Sequence, residues 1–293
     1  MINASIVGFG NIGRSVCEAI CSSEDICLKS IVSSKPAPEY VHVPVVKDIS
    51  CLKDIDTAIL CSPSRLTPDM AESLLKRGIS TVDSFDIHGS IADVRKRLDP
   101  VAKEHGCASV ISAGWDPGSD SVVRALLEAM MPKGITYTNF GPGMSMGHTV
   151  AVKAVPGVKA ALSVTIPLGT GIHRRMVYIE LCEDAEFDTV SKAIKEDAYF
   201  IHDETHVIQV DDVSALQDTG HGVELIRKGV SGSTANQRAE FSMSINNPAL
   251  TAQILVSSAR AVMKQRPGCY TMIEIPPIDF LYGDADTLVR RLV

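Results

Sequence analysis

Glycines at 8, 10 and 13 and aspartates at 86 and 116 are the residues of this 293-residue chain whose types and spacing point most directly to chemistry. The glycines stand as Gly8-Phe9-Gly10-Asn11-Ile12-Gly13, after an apolar run over residues 2–7 and before a helical pattern over 14–21. In that setting Gly8 permits a tight turn, Gly10 lets the backbone approach a pyrophosphate, and Gly13 lets the helix pack against its strand. Asn11 and Ile12 open the helix, whose N-terminus favours negative charge. A nicotinamide dinucleotide is the ligand expected, and the sequence about 20 residues further on should indicate which one. An acid there would bind a ribose 2′-hydroxyl, but Ser33, Ser34 and Lys35 occupy that turn. Two hydroxyls and a cation suit a 2′-phosphate, so NADP is expected over NAD. The same tripeptide also reads as an ordinary polar loop.

Asp86 lies in Asp83-Ser84-Phe85-Asp86-Ile87-His88, and Asp116 in Gly114-Trp115-Asp116-Pro117-Gly118. Two carboxylates near a nicotinamide suit a cationic substrate. An amine must shed a proton before its carbon releases hydride, and a neighbouring carboxylate can hold the ammonium and accept that proton. Trp115, the single tryptophan, offers a flat surface to the substrate chain. Each acid, taken alone, also fits a turn or cap. A third cluster runs Phe140-Gly141-Pro142-Gly143-Met144-Ser145-Met146-Gly147-His148.

The elements that must position these residues follow from periodicity. Short apolar runs at 5–7, 26–32, 57–60, 80–82 and 108–111 alternate with helical patterns at 11–21, 68–76 and 91–104, the signature of a Rossmann-type parallel sheet. Ligands of such a sheet lie beyond the carboxyl ends of its strands, so the turn Cys61-Ser62-Pro63-Ser64 and both acid-bearing turns should share a crevice with Gly8. After a helix at 120–131, longer alternating runs at 160–167, 174–181, 206–210, 223–230 and 239–246 indicate an α+β domain with a mostly antiparallel sheet. Helices at 186–195 and 248–264 are expected to cover that sheet. The expected division is a dinucleotide-binding domain over 1–118, a substrate-binding and oligomerisation domain over 119–267, and a segment over 268–293 returning to the first.

Composition narrows the function class. Lys plus Arg number 28 and Asp plus Glu 35, a net charge of −7, and no basic run is available to track nucleic acid. No window approaches the roughly 18 consecutive apolar residues of a membrane span, and no cleavable leader is evident, so a cytoplasmic protein is expected. The eight cysteines form no CxxC pair, and no metal site is expected.

Read together, Gly-Phe-Gly-Asn-Ile-Gly-Arg, Val-Asp-Ser-Phe-Asp-Ile-His, Ser-Ala-Gly-Trp-Asp-Pro-Gly, Phe-Gly-Pro-Gly-Met-Ser-Met-Gly-His and Gly-His-Gly occur in an order that resembles the meso-diaminopimelate dehydrogenase family, over residues 6–275. The resemblance implies NADP-dependent oxidative deamination of meso-2,6-diaminopimelate at its D-centre, and the reverse amination, in lysine and cell-wall precursor synthesis. It places Asp86 and Asp116 at the reacting amino group beside Trp115, with Phe140, Met146 and Gly147 lining the pocket. It gives the L-configured end to Thr165, Arg175, His221 and Asn247, and implies a homo-oligomer. The short turn at 168–171 resembles the family's compact form, which lacks an inserted segment there and is associated with acceptance of simple D-amino acids or their 2-keto acids. Two alternatives stay open on the residues themselves: another NAD(P)-dependent oxidoreductase of this architecture, of the dihydrodipicolinate reductase or saccharopine dehydrogenase type, or a non-catalytic NADP sensor.

Overall fold

The computed structural model describes residues 1–36, 41–216 and 220–293. The chain begins with β1 (Ile2–Val7), α1 (Asn11–Cys21), β2 (Ile26–Val32), β3 (Val45–Val46), β4 (Thr57–Leu60), α2 (Thr67–Leu75), β5 (Ser80–Asp83), α3 (Ile91–Glu104), β6 (Ala108–Val110) and α4 (Ser119–Met130). It continues through β7 (Lys133–Phe140), β8 (Gly143–Met144), α5 (Met146–Lys153), β9 (Val158–Gly169), β10 (Ile172–Leu181), α6 (Phe187–Glu196), β11 (Glu204–Gln209), β12 (Gly220–Ser231) and β13 (Thr234–Asn246). It ends with α7 (Asn247–Val262), β14 (Gly268–Tyr270) and α8 (Ala285–Leu292). Two compact units divide these elements, Met1–Ala125 with Pro248–Val293 in the first and Leu126–Asn247 in the second.

The first unit is built on a seven-stranded sheet of order β14-β6-β5-β4-β1-β2-β3, in which every recorded pairing is parallel. Strand order reverses direction at β1 and β4, so the turns that follow these two strands flank the switch point where such sheets bind dinucleotides. Period-two alternation sends β1 and β4 residues to both faces: Ala4, Ile6 and Ile59 join α1 and α7 on one side. Val7, Ala58 and Leu60 join α2 and α3 on the other.

The second unit holds two sheets. One has order β11-β10-β9-β8, antiparallel except for the parallel β10–β11 pair, and the other is the antiparallel β13-β12-β7. Its apolar cluster takes Val152 from α5, Ala161 from β9, Val177 and Ile179 from β10, Val190 and Ile194 from α6, and Phe200.

Two expectations change. The helix expected to cover the antiparallel sheet from 248 onward, α7, packs instead in the first unit, where Ala252, Leu255, Val256 and Ala259 meet Ala4 and Ile6. These four positions follow the i, i+3, i+4, i+7 spacing of one helix face, which marks a buried stripe without saying which sheet it covers. The antiparallel strands also divide between two sheets, because β7, which carries the Phe140 end of the third motif, pairs with β12 rather than β10. Among the described residues no helix is long and apolar enough to cross a membrane, and no group of three or more metal-ligating side chains occurs.

Candidate active site

The turn after β1 is shaped for close approach. Gly8 has φ +97, where a side chain would be strained, and a Cβ there would lie 2.8 Å from the Cys61 carbonyl oxygen. A Cβ on Gly13 would collide with the Gly8 carbonyl, whereas one on Gly10 meets nothing within 4 Å. Gly13 is thus required for packing and Gly10 opens the N-terminus of α1, the arrangement that a pyrophosphate needs. Asn11 is exposed and Ile12 half-buried in the first turn of that helix. The Cys61-Ser62-Pro63-Ser64 turn follows β4, with the Cys61 amide donating to Val7 O at 2.7 Å and Ser62 Oγ 3.1 Å from Thr67 Oγ1. At the end of β2, Ser33 Oγ accepts from the Lys35 amide at 3.0 Å, leaving Ser34 and Lys35 exposed. These residues fit NADP: an open helix terminus for the pyrophosphate and an exposed cation at the ribose end.

Asp86 and Asp116 follow β5 and β6, neighbouring strands of the same sheet. Asp86 is exposed and accepts from Ser64 Oγ at 2.6 Å, which ties it to the turn after β4. Asp83, buried between the two acid-bearing turns, holds them in register: its Oδ1 accepts from the Phe85 amide at 2.9 Å and the Ser112 amide at 3.1 Å, and its carbonyl from the Ala113 amide at 2.7 Å. Burial pushes its carboxyl up to about 6 against those two bonds. Trp115 is buried beside Asp116. Arg124 bridges two carboxylates, reaching Asp116 Oδ1 at 3.0 Å and Asp120 Oδ2 at 3.0 Å. Asp120 is completely buried, and burial above all, with the Asp116 charge adding, pushes it up to about 8 despite Arg124.

In the second unit the loop between β7 and α5 lies between two strands. The Gly141 amide donates to Gly222 O at 2.8 Å, Gly143 is paired with Thr165, and a Cβ on Gly143 would meet the Gly220 carbonyl and the His221 Cα. Phe140, Met146, Gly147, Thr165 and His221 are thereby gathered around one loop. Arg175 stands opposite Thr165 in the β9–β10 ladder, and its Nη1 donates to Thr165 Oγ1. Asn247 follows Asn246, which pairs with Gly220. Two histidines complete the surroundings: His173 Nε2 accepts from the Phe140 amide at 2.8 Å, and His148 Nδ1 lies 2.8 Å from Ser145 Oγ. Burial first, then the Arg175 charge, holds both imidazoles low, His148 at about 4, so each is neutral at pH 7.

A family model described as the diaminopimelic acid dehydrogenase C-terminal domain matches residues 114–174. The meso-diaminopimelate D-dehydrogenase of Bacteroides fragilis is 62% identical over 297 residues, covering 100% of this chain and 99% of that protein. Among solved structures, the C. glutamicum DAP dehydrogenase in complex with DAP is similar with a TM-score of 0.91 at 28% identity, over 100% of this chain and 99% of that one. An engineered D-amino acid dehydrogenase bound to NADP+ gives a TM-score of 0.88 at 27% identity over 100% and 99%. The dihydrodipicolinate reductase, saccharopine dehydrogenase and sensor alternatives fall away against full-length identity of that order. The chain belongs to the meso-diaminopimelate dehydrogenase family.

Proposed function

We propose that the protein is an NADP-dependent dehydrogenase that deaminates meso-2,6-diaminopimelate at its D-configured carbon, giving L-2-amino-6-oxopimelate and ammonia, and that it runs the reverse amination in lysine and cell-wall precursor synthesis. The observation that carries this reading is the bond from Ser64 to Asp86, which joins a turn beside the coenzyme glycines to one of two acids at adjacent strand ends. Gly8, Gly10, Asn11, Ile12 and Gly13 hold the pyrophosphate, Ser33, Ser34 and Lys35 the 2′-phosphate end, and Cys61 to Ser64 the neighbouring face. The bound nicotinamide supplies the hydride acceptor. Asp86 and Asp116 grip the substrate ammonium, and one of them takes its proton so that the nitrogen lone pair can assist departure of the hydride; water then adds to the carbon of the resulting imine and ammonia leaves, giving the oxo acid. Trp115 flattens against the substrate chain. Thr165, Arg175, His221 and Asn247 fix the L-configured end, with Phe140, Met146 and Gly147 lining the chain between. Recognition at both ends makes the meso isomer the preferred one, because only then does the D-carbon meet the acids while the L-centre is held.

The first unit is the coenzyme unit and the second the substrate unit in this reading. The second also carries subunit contacts of a homo-oligomer: Leu126, Met130 and Ile135 each expose more than half of their surface there. The oligomer works in the cytoplasm, where NADP and the precursors are found.

The test is NADP reduction with meso-, LL- and DD-diaminopimelate. Turnover with the meso isomer and none with LL is expected, and the reverse pattern overturns the assignment. Asp86→Ala and Asp116→Ala should each lower kcat by roughly 100-fold or more, the usual worth of a positioned acid or base, while NADP binding stays within about twofold. An unaltered kcat in both removes the acids from the mechanism.

A further inference from the structure

Arg175 is the candidate fork for the distal carboxylate, and a guanidinium can present either its side-on edge, through Nε, or the end formed by Nη1 and Nη2. Which edge it presents is settled by what already occupies the others. Its Nε donates to Asp203 Oδ2 at 2.6 Å, and Nη1 donates to Thr165 Oγ1. These two acceptors use two of the five N–H donors; the remaining three are one on Nη1 and two on Nη2, and Nη2 has no hydrogen-bond partner among the described residues.

The acid that makes this arrangement is itself fixed on both sides. Its amide donates to Phe200 O at 3.0 Å, and the Phe200 ring is buried to 1% exposure in the apolar cluster of the second unit. His148 contacts the same segment edge-on, with ring centroids 5.3 Å from Tyr199 and 5.2 Å from Phe200. On the other side Asp203 leads directly into β11, whose parallel register sets Thr205 against Arg175 and Glu204 against Arg174. The acids therefore divide between the arginines: Glu204 takes Arg174 at the exposed edge, at 2.9 and 3.2 Å, and Asp203 takes Arg175 inside. An anchor with this little freedom can hold a long, flexible side chain in one orientation before ligand arrives, so that less ordering is required on binding.

We propose that Asp203 is a positioning residue that determines specificity: it locks the Nε edge of Arg175 and so presents the Nη1–Nη2 end of the fork to the carboxylate at the L-configured end of the substrate. The inference rests on the proposed function, and it assigns to Asp203 no contact with the reacting atoms. Its mark is an effect on substrate binding that vanishes when Arg175 is absent. Orientation and charge separate in one substitution: Asp203→Asn keeps an oxygen that can accept from Nε but removes the negative charge, whereas Asp203→Ala removes both.

The experiment measures kcat and KM for meso-diaminopimelate, and KM for NADP, in the full-length enzyme, in D203A and D203N, and in R175A with and without D203A. D203A is expected to raise KM for meso-diaminopimelate about tenfold with kcat and the NADP KM within about twofold, the pattern of lost binding rather than lost chemistry. D203N should stay within about threefold of the wild type, and adding D203A to R175A should change KM by less than about twofold, because the acid acts only through the arginine. Should D203A fail to fold, D203S carries the same expectation, since its hydroxyl is too short to reach Nε. An unchanged KM in D203A, or an equal loss with and without Arg175, overturns the inference. Absence of meso-diaminopimelate turnover in the wild type is a different result, and it overturns the functional reading instead.

Discussion

Asp83 is where a single carboxyl both stabilises the site and limits stability with pH. It sits 1% exposed at the end of β5, and its Oδ1 alone accepts the Phe85 and Ser112 amides that open the two acid-bearing turns. Burial raises it from 3.8 to about 6. A raised folded value means that the unfolded chain ionises first, so this group's contribution is fully present below 3.8 and is lost as pH climbs through about 6. Asp83→Asn keeps an Oδ1 acceptor and cannot titrate. Its stability relative to the wild type should therefore improve between pH 4 and 7, by up to about 3 kcal/mol, in urea unfolding at the two pH values. Relative to Asp83→Asn, which also cannot titrate, Asp83→Ala leaves two buried amides without an acceptor and should cost about 2 to 4 kcal/mol at both. It should also lower kcat, since Asp86 and Asp116 lose their common brace. A pH-independent difference between D83N and wild type contradicts the buried titration.

At the scale of elements, the parts of the site carried by local pattern were legible in the sequence. The strand–glycine–helix unit at β1 and α1 needs only the spacing of Gly8, Gly10 and Gly13, and strand ends in a parallel sheet mark where ligands lie, so the placement of Cys61, Asp86 and Asp116 beyond strand ends is readable without tertiary information. The strings around Trp115, Met146 and His221 add further candidates through their resemblance to one family. What escaped notice depends on partners distant in sequence. Asp203 meets Arg175 across 28 residues, Asp83 meets Ser112 across 29, and α7 reaches β1 from the far end of the chain. No periodicity encodes such pairings. The neutrality of His148 likewise follows from burial beside Arg175, which its place in Gly-His-Thr does not reveal. The proposed function assigns the coenzyme preference to the turn after β2, where Lys35 is the one exposed cation of the tripeptide. Lys35→Ala should raise the KM for NADP by about tenfold, the worth of one charge-assisted bond, and leave that for NAD within about twofold. Equal changes for both coenzymes would move 2′-phosphate recognition elsewhere.

For the whole molecule, the chain order and the core order differ, and the difference is measurable. The first unit is assembled from both ends of the chain, with Pro248–Val293 returning after the second unit is complete. Its apolar cluster runs without a break from Ile6 and Val16 to Leu255 and Ala259. The second unit has a cluster of its own, drawn from Val152, Val177, Ile194 and Phe200. A ligand that binds only the folded first unit stabilises that unit by mass action, by about 2.7 kcal/mol at 100 times its dissociation constant, which is about 100-fold in the unfolding equilibrium. Hydrogen exchange with NADP at that level should therefore slow the most protected amides of β1 and β4 by roughly 100-fold, while those of β9 and β10 change by less than about threefold. Helix α7 is the deciding reporter, because it follows β13 directly in sequence yet shares its core with β1. Slowing of α7 together with β1 is the expected result. If α7 instead keeps the unslowed exchange of β9 and β10, its burial does not couple it to the coenzyme sheet; equal slowing everywhere would mean that the two clusters unfold as one cooperative body.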